Sequence, residues 1–419
     1  MPPITVPLLL MMSALLPYVS GNLRIDQVMI PLIAAPAFLM GRRHYFSTLT
    51  WTIPLIASLV MLAISSRLSW QTGLATNGLY SMIRIALPVL ALIVLPTTLA
   101  NVPEVLKSTM KAIVFCASAT SLFALAALVS PRILDIMTYW VQVADDSVWS
   151  QSRDVGRFSG IFNQPLEAGV FYSVALLALV YCWKHSAIPK IALFAFLALI
   201  MSGGLLSLSK NFLVVGVVAV LALALWTRVL PPWLAVAIGV PVVAIVPPLF
   251  IQQNPAYIDS LLALYYAEGL LAALTAGRFG GGEGSQVELL FRSLFEVGDW
   301  PLGRGLGSHL PLDNGFLEFF YQGGIVALGG FMLALGALFV YGWRGRRSDA
   351  GRLLVMLVIF TAGSSLGGPA FTANRADIPL LLAIAASIVE IRRAGERRGA
   401  SAGALVVQSR SPKTWNLAT

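Results

Sequence analysis

Charge, cysteine and histidine are all scarce in this sequence. Only 11% of its 419 residues are Asp, Glu, Lys or Arg, less than half the share that coats a soluble domain. The two cysteines, Cys116 and Cys182, lie in apolar runs far apart, so neither a disulfide framework nor a cysteine metal site is expected. The three histidines do not cluster, and no carboxylate set has metal-ligand spacing; no metal or other cofactor is expected. Repeats of fixed period are absent too, which removes solenoids and propellers. The net charge of +9 comes without a folded basic module, so no nucleic-acid partner is expected.

Apolar residues fill that space. They make up 58% of the chain, with a mean hydropathy of +0.81, and they fall into recurrent runs of the length a helix needs to cross a hydrocarbon core of ~30 Å. The expected fold is all-α, a polytopic membrane protein of about twelve helices, at about 4–20, 25–40, 47–64, 81–99, 110–130, 165–183, 190–207, 211–226, 233–251, 313–341, 353–368 and 377–391. The first run lacks a basic leader and a persuasive cleavage site, so it reads as a retained helix. Placing the Lys/Arg-rich loops in the cytoplasm puts both termini there, with 17 of the 28 basic residues and four of the 19 acids. The other face is then acidic, and the overall charge is a topology signal.

This threading divides the chain into helices one to nine (1–251), a large outer loop (252–312), helices ten to twelve (313–391) and a basic tail (392–419). A shorter outer loop runs from 131 to 164. In the large loop a helix is expected around Tyr257–Leu274, then a glycine-rich tract from Gly277 to Gly284 that cannot hold a helix. A second, amphipathic helix follows, with Val287, Leu290, Phe291, Leu294 and Phe295 on one side.

Chemistry is expected on the outer face. Its eleven basic residues are ten arginines and Lys210, whereas the inner face mixes twelve arginines with five lysines. A guanidinium binds phosphate or carboxylate through two parallel hydrogen bonds, so the bias suggests an anion site; pairing with the fifteen acids of that face is the competing account. Arg157, Lys210, Arg278 and Arg375 stand beside Gly, Ser or Asn. Arg84 stands alone near the outer end of an apolar run, where it must face a cavity, find a partner or snorkel. Glu167 and Glu318 occupy similar depths, suited to an ion pair or to catalysis. Asp313-Asn314 opens the tenth helix, where either side chain can cap free N–H groups and the carboxylate can also accept a proton. His309, four residues earlier, can do the same work; His44 and His185 are expected to play no part. The run Gly303-Arg304-Gly305-Leu306-Gly307-Ser308 follows no strand, so it is not a nucleotide loop.

Three stretches together resemble the bacterial O-antigen ligase/polymerase family. They are Arg157-Phe158-Ser159-Gly160-Ile161-Phe162-Asn163-Gln164-Pro165 entering a helix, Ser207-Leu208-Ser209-Lys210-Asn211 between two helices, and a third set. That set is Arg278, then Asp299-Trp300-Pro301-Leu302-Gly303-Arg304-Gly305-Leu306-Gly307, then Asp313-Asn314-Gly315-Phe316-Leu317 with Gly324 beyond. The resemblance implies a metal-independent glycosyltransferase of the inner membrane that takes glycan from undecaprenyl diphosphate at the periplasmic side. A flippase and a chain-length regulator of the same pathway are its implied partners. It implies diphosphate-binding roles for Arg157, Arg278 and Lys210. Ligases of the family carry His-Asn where this chain has Asp313-Asn314, a difference that favours a polymerase. Asp313, Glu288 and His309 are the candidate proton acceptors, in that order; Arg84, Arg375 and Asn314 are further candidate substrate contacts. The rivals are a ligase acting on lipid A core or protein, and a polysaccharide permease or flippase. A permease is disfavoured by the lack of an internal duplication.

Overall fold

A computed structural model describes residues 3–17, 24–25, 27–30, 32, 52–70, 75–141, 147–154, 156–231, 259, 262–263, 265–267, 286–306, 308 and 314–409. The described residues form helices and no strand. In chain order the helices are α1 (Thr5–Leu15), α2 (Thr52–Trp70), α3 (Ala75–Leu99), α4 (Val105–Val129), α5 (Pro131–Val141), α6 (Val148–Asp154), α7 (Pro165–Lys184) and α8 (Lys190–Ser207). Then come α9 (Asn211–Trp226), α10 (Gln286–Val297), α11 (Gly315–Arg344), α12 (Asp349–Gly367) and α13 (Asp377–Ser409).

Five of these, α4, α7, α8, α11 and α12, are long and apolar enough to cross a membrane. Thr5–Leu15, Ile83–Leu99 and Asn211–Trp226 are shorter apolar helices. The run at 233–251 and most of 252–285 lie outside the described residues, though Asp259, Leu262, Ala263 and Tyr265–Ala267 are helical. The stretch 131–164 differs from the loop expected of it: it carries α5 and α6. Pro131 suits a first helical turn, and Met137 and Val141, one turn apart, are buried. The last helix also runs on past 391 to Ser409.

The core is centred on α7. Phe171, Val174, Leu177 and Cys182 are inaccessible, as expected of a helix apolar all round, and α7 packs against α4, α8, α9, α12 and α13. The charged residues separate by end. At one end Lys184 Nζ lies 2.7 Å from Asp349 Oδ1 and 3.0 Å from the Thr227 carbonyl, and Arg393 donates to the carbonyls of Ala100 (2.7 Å) and Val102 (3.0 Å). Among the described residues Lys184, Arg352 and Arg393, which the sequence reading groups on one face, lie at this end. The segments singled out by the motifs meet at the other.

At that second end α11 is broken. Gly324 has φ 67° and ψ −170°, a region open essentially to glycine alone. A break strands backbone carbonyls that need new donors, and the 299–306 segment supplies them. Arg304 N–H donates to Tyr321 O (2.9 Å) and Gly305 N–H to Gln322 O (3.0 Å), while Ile325 N–H donates back to Trp300 O (3.0 Å). The Ser65 hydroxyl of α2 lies 2.7 Å from Leu302 O and 2.8 Å from Gln322 O. The expected amphipathic helix is α10. Leu294 is buried on Phe320 and Tyr321 of α11, with Leu290 and Phe291 packed against the same cluster; Phe295 is 55% exposed and stacks on Trp300 instead.

Candidate functional site

Four segments converge at this end. The first is 156–164. Its register is set by Arg157 N–H to Ser152 O (2.9 Å), Trp149 Nε1 to Gly160 O (2.8 Å) and Phe158 N–H to Leu206 O (2.8 Å). The last of these bonds ties it to the second segment, the α8–α9 joint. There Leu208 takes a left-handed conformation (φ 44°, ψ 38°), which costs an L-residue roughly 1–2 kcal/mol. The reversal ends α8 and lets α9 start at once, with a π-helical turn over Asn211–Gly216. Such turns are short, strained and concentrated at functional sites. Arg157 and Lys210, one and four residues from the joining hydrogen bond, are both half-buried. Asn211 points inward beside the end of α12, near Gly367, and its Nδ2 is buried with no acceptor among the described residues.

The third segment is the start of α11. Asn314 is its N-cap: Oδ1 accepts from Leu317 N–H (3.0 Å) and Nδ2 donates to Leu366 O (3.1 Å). Its amide is therefore committed on both sides, to its own helix and to α12. We predict that Asn314→Ala lowers stability by about 1–2 kcal/mol, read as earlier thermal loss of the solubilised monomer peak; an unchanged profile would remove the cap from the account.

The fourth segment, 368–377, links α12 to α13 through short 3₁₀ turns at Ala370–Thr372 and Asn374–Ala376. It brings together most of the buried charge. Arg375 is inaccessible and donates through one amino group to Ile161 O and through the other to Trp140 O (3.2 Å). Asn374 Nδ2 donates to Glu167 Oε1 at 2.6 Å, and Asn163 N–H reaches the other carboxylate oxygen at 3.2 Å. Glu167 is itself inaccessible, within electrostatic reach of Arg375 and Arg24. Arg24 and Asp377 are buried 3.8 Å apart. A few residues away Arg84 forms a buried ion pair with Glu318, whose carboxylate also meets Gln322 Nε2 (3.2 Å) and Thr372 Oγ1 (3.5 Å).

These contacts sort the candidates. Arg84 and Arg375 are buried on protein acceptors, and acid pairing accounts for much of the outward arginine bias: Arg24, Arg84, Arg292 and Arg304 each have a carboxylate partner. Arg157 and Lys210 are half-buried on the two segments that the Phe158–Leu206 hydrogen bond joins. Glu288 is half-exposed in the first turn of α10. Arg278, His309 and Asp313 lie outside the described residues. Sequence reasoning passed over Arg24, Asn374, Asp377, Gln322 and Thr372. A signal was present for the charged ones: Arg24 and Asp377 each open an apolar run, one cation and one anion at matching depth.

No protein-family model matches the chain, and none of the curated proteins compared with it matches. What the fold and the site define is a class, a protein whose described residues are helical, with five helices long and apolar enough to cross a membrane and a polar cluster gathered at one end.

Proposed function

We propose that the chain is a metal-independent, membrane-embedded glycosyltransferase: a polysaccharide polymerase of the O-antigen or exopolysaccharide type. In this reading it has twelve spans in a bacterial inner membrane, both termini are cytoplasmic, and the Arg157–Lys210 end faces the periplasm. The donor is a glycan on undecaprenyl diphosphate and the acceptor a second such chain. One observation carries the reading. At this end half-buried Arg157 and half-buried Lys210 are carried by two segments that the Phe158 N–H to Leu206 O bond ties together, at the same end of the bundle as the Asn314-capped start of α11.

The acceptor hydroxyl attacks the anomeric carbon of the donor sugar. A glycosidic C–O bond forms, the bond to the diphosphate breaks, and undecaprenyl diphosphate leaves with the electron pair. Arg157, Arg278 and Lys210 stabilise that growing charge, the contribution that usually dominates. The hydroxyl proton passes to Asp313, with Glu288 and His309 next in order. Because Asn314 already fills the cap position of α11, Asp313 is left to this work.

Arg157→Lys tests the diphosphate role, since lysine keeps a point charge and loses the fork, and Asp313→Asn tests the base. In a strain lacking the gene, both variants should insert at wild-type levels, lose at least ~90% of polymer, and leave single repeat units on the lipid carrier. Long unligated chains would convert the reading to a ligase. Repeat units held on the cytoplasmic leaflet would convert it to a permease, and near-normal polymer from either variant would remove that residue from the site.

A further inference from the structure

Starting at the basic end, α1 and α4 enclose a groove built from two facing stripes. On α4 the stripe is Lys107, Lys111, Phe115, Ala119 and Phe123, each one turn after the last; on α1 it is Ile4, Leu8 and Met12. Side chains four apart share a helix face, so the groove changes character along its length. Its basic mouth is a cavity of ≈ 380 Å³ between the start of α1, the first turns of α4 and the 187–189 connection, with Glu104, Lys107 and Lys111 in its wall. Phe115 forms part of this cavity and of the next, an almost wholly apolar space of ≈ 300 Å³ that continues past Met12 and Ala119 to Trp140 and Ile161, at the edge of the candidate site. Trp140 closes it by donating from Nε1 to Leu15 O at 2.8 Å.

From these stripes we infer that the groove is a binding site for one anionic glycerophospholipid, with the phosphate at Lys107 and Lys111 and an acyl chain along Phe115, Ala119 and Phe123. Three features of the groove carry the assignment. The first is length: from Lys111 to Phe123 is twelve residues of helix, about 18 Å at ~1.5 Å per residue, close to half of a ~30 Å hydrocarbon core. The space matches one leaflet. The second is charge. Two lysines face one acid at the mouth, and among the described residues Lys107 pairs with Glu104, at 3.2 Å in a solvent-exposed pair of the kind worth under about 1 kcal/mol. Lys111 makes no ion pair among the described residues. A phosphate can therefore displace Glu104 from Lys107 and bridge both ammonium groups. The third is continuity, because the wall turns from cationic to apolar at Phe115, the depth at which a lipid turns from headgroup to tail. The net positive mouth selects an acidic headgroup over a zwitterionic one.

The proposal is independent of the glycosyltransferase reading, and its test uses the full-length chain in detergent. Palmitoyl-oleoyl phosphatidylglycerol, or the ethanolamine lipid with the same chains, is titrated in, and bound copies are counted by native mass spectrometry alongside the thermal midpoint. Wild type should retain the glycerol lipid at least tenfold more tightly than the ethanolamine lipid and be stabilised by it. Lys107→Gln/Lys111→Gln should abolish the preference, leaving weak binding of either lipid. Ala119→Trp, which fills the apolar half, should abolish binding with the lysines intact. Equal retention of the two lipids by wild type, or an unchanged preference in the double lysine variant, would overturn the site. So would displacement of the glycerol lipid by an equimolar polyisoprenyl phosphate, which would assign the groove to a different lipid.

Discussion

Glu318→Ala will destabilise the protein by about 3–5 kcal/mol, the usual cost of leaving one member of a buried ion pair without its partner. Arg84 and Glu318 are 6% and 1% exposed, so water cannot take over for either. Glu318 is also the acceptor for Gln322 and Thr372, and its loss strands three groups together. Removing the pair as a unit is a different experiment. Arg84→Met with Glu318→Gln deletes both charges, keeps an amide oxygen for Thr372, and should recover most of the lost stability, because a buried pair often gains little over well-packed neutral side chains. The measurement is the temperature at which half the solubilised protein leaves the monomer peak. Single variants that match wild type would show that the pair braces nothing. Under the proposed polymerase activity the double variant also separates two roles: polymer of wild-type length supports a brace, and a stable but inactive protein moves Arg84 into the proposed donor site.

The second large effect is expected at the break in α11. An alanine Cβ at Gly324 would lie 2.2 Å from the Pro301 carbonyl oxygen, on a backbone conformation that L-residues avoid. Strain of about 1–3 kcal/mol and a clash of about 1–3 kcal/mol act together in Gly324→Ala. Relief requires moving the 299–306 segment, which is held to α11 by Arg304, Gly305 and Ile325. Gly329→Ala is the control in the same helix, since its added Cβ meets nothing within 4 Å and alanine favours a helix by about 1 kcal/mol over glycine. The first variant should lose folded protein and the second should not. Equal behaviour of the two would mean that the break is not fixed by the 299–306 contact.

Helix α8 was legible to the residue and α7 nearly so, because each is an apolar run with a clear boundary: Pro165 opens α7, and Lys184 and Lys190 bracket the turn between them. Hydropathy could not show α5. Its inward residues Met137 and Val141 follow helical spacing, but Arg132, Asp135 and Thr138 lower the average to that of a loop. The break at Gly324 was equally invisible, since the run through Gly315–Arg344 stays apolar across it. Within the candidate site the charged residues were legible one at a time. Arg84 and Glu318 each stood out as costly in an apolar run, yet 234 positions separate them, and a single sequence does not say which distant acid answers which arginine. The division of the arginines into buried and half-buried groups came only with three-dimensional placement.

The three buried charge clusters share one more property: each joins the first half of the chain to the last helices. Arg24 meets Asp377, Arg84 meets Glu318, and Glu167 meets Asn374 beside Arg375. During synthesis the chain therefore makes Arg24, Arg84 and Glu167 before Asp377, Glu318 and Asn374, their partners in the folded protein, have left the ribosome. Ribosomal order makes α11 to α13 the latch of the assembly, and a chain ending before Glu318 lacks all three of these contacts.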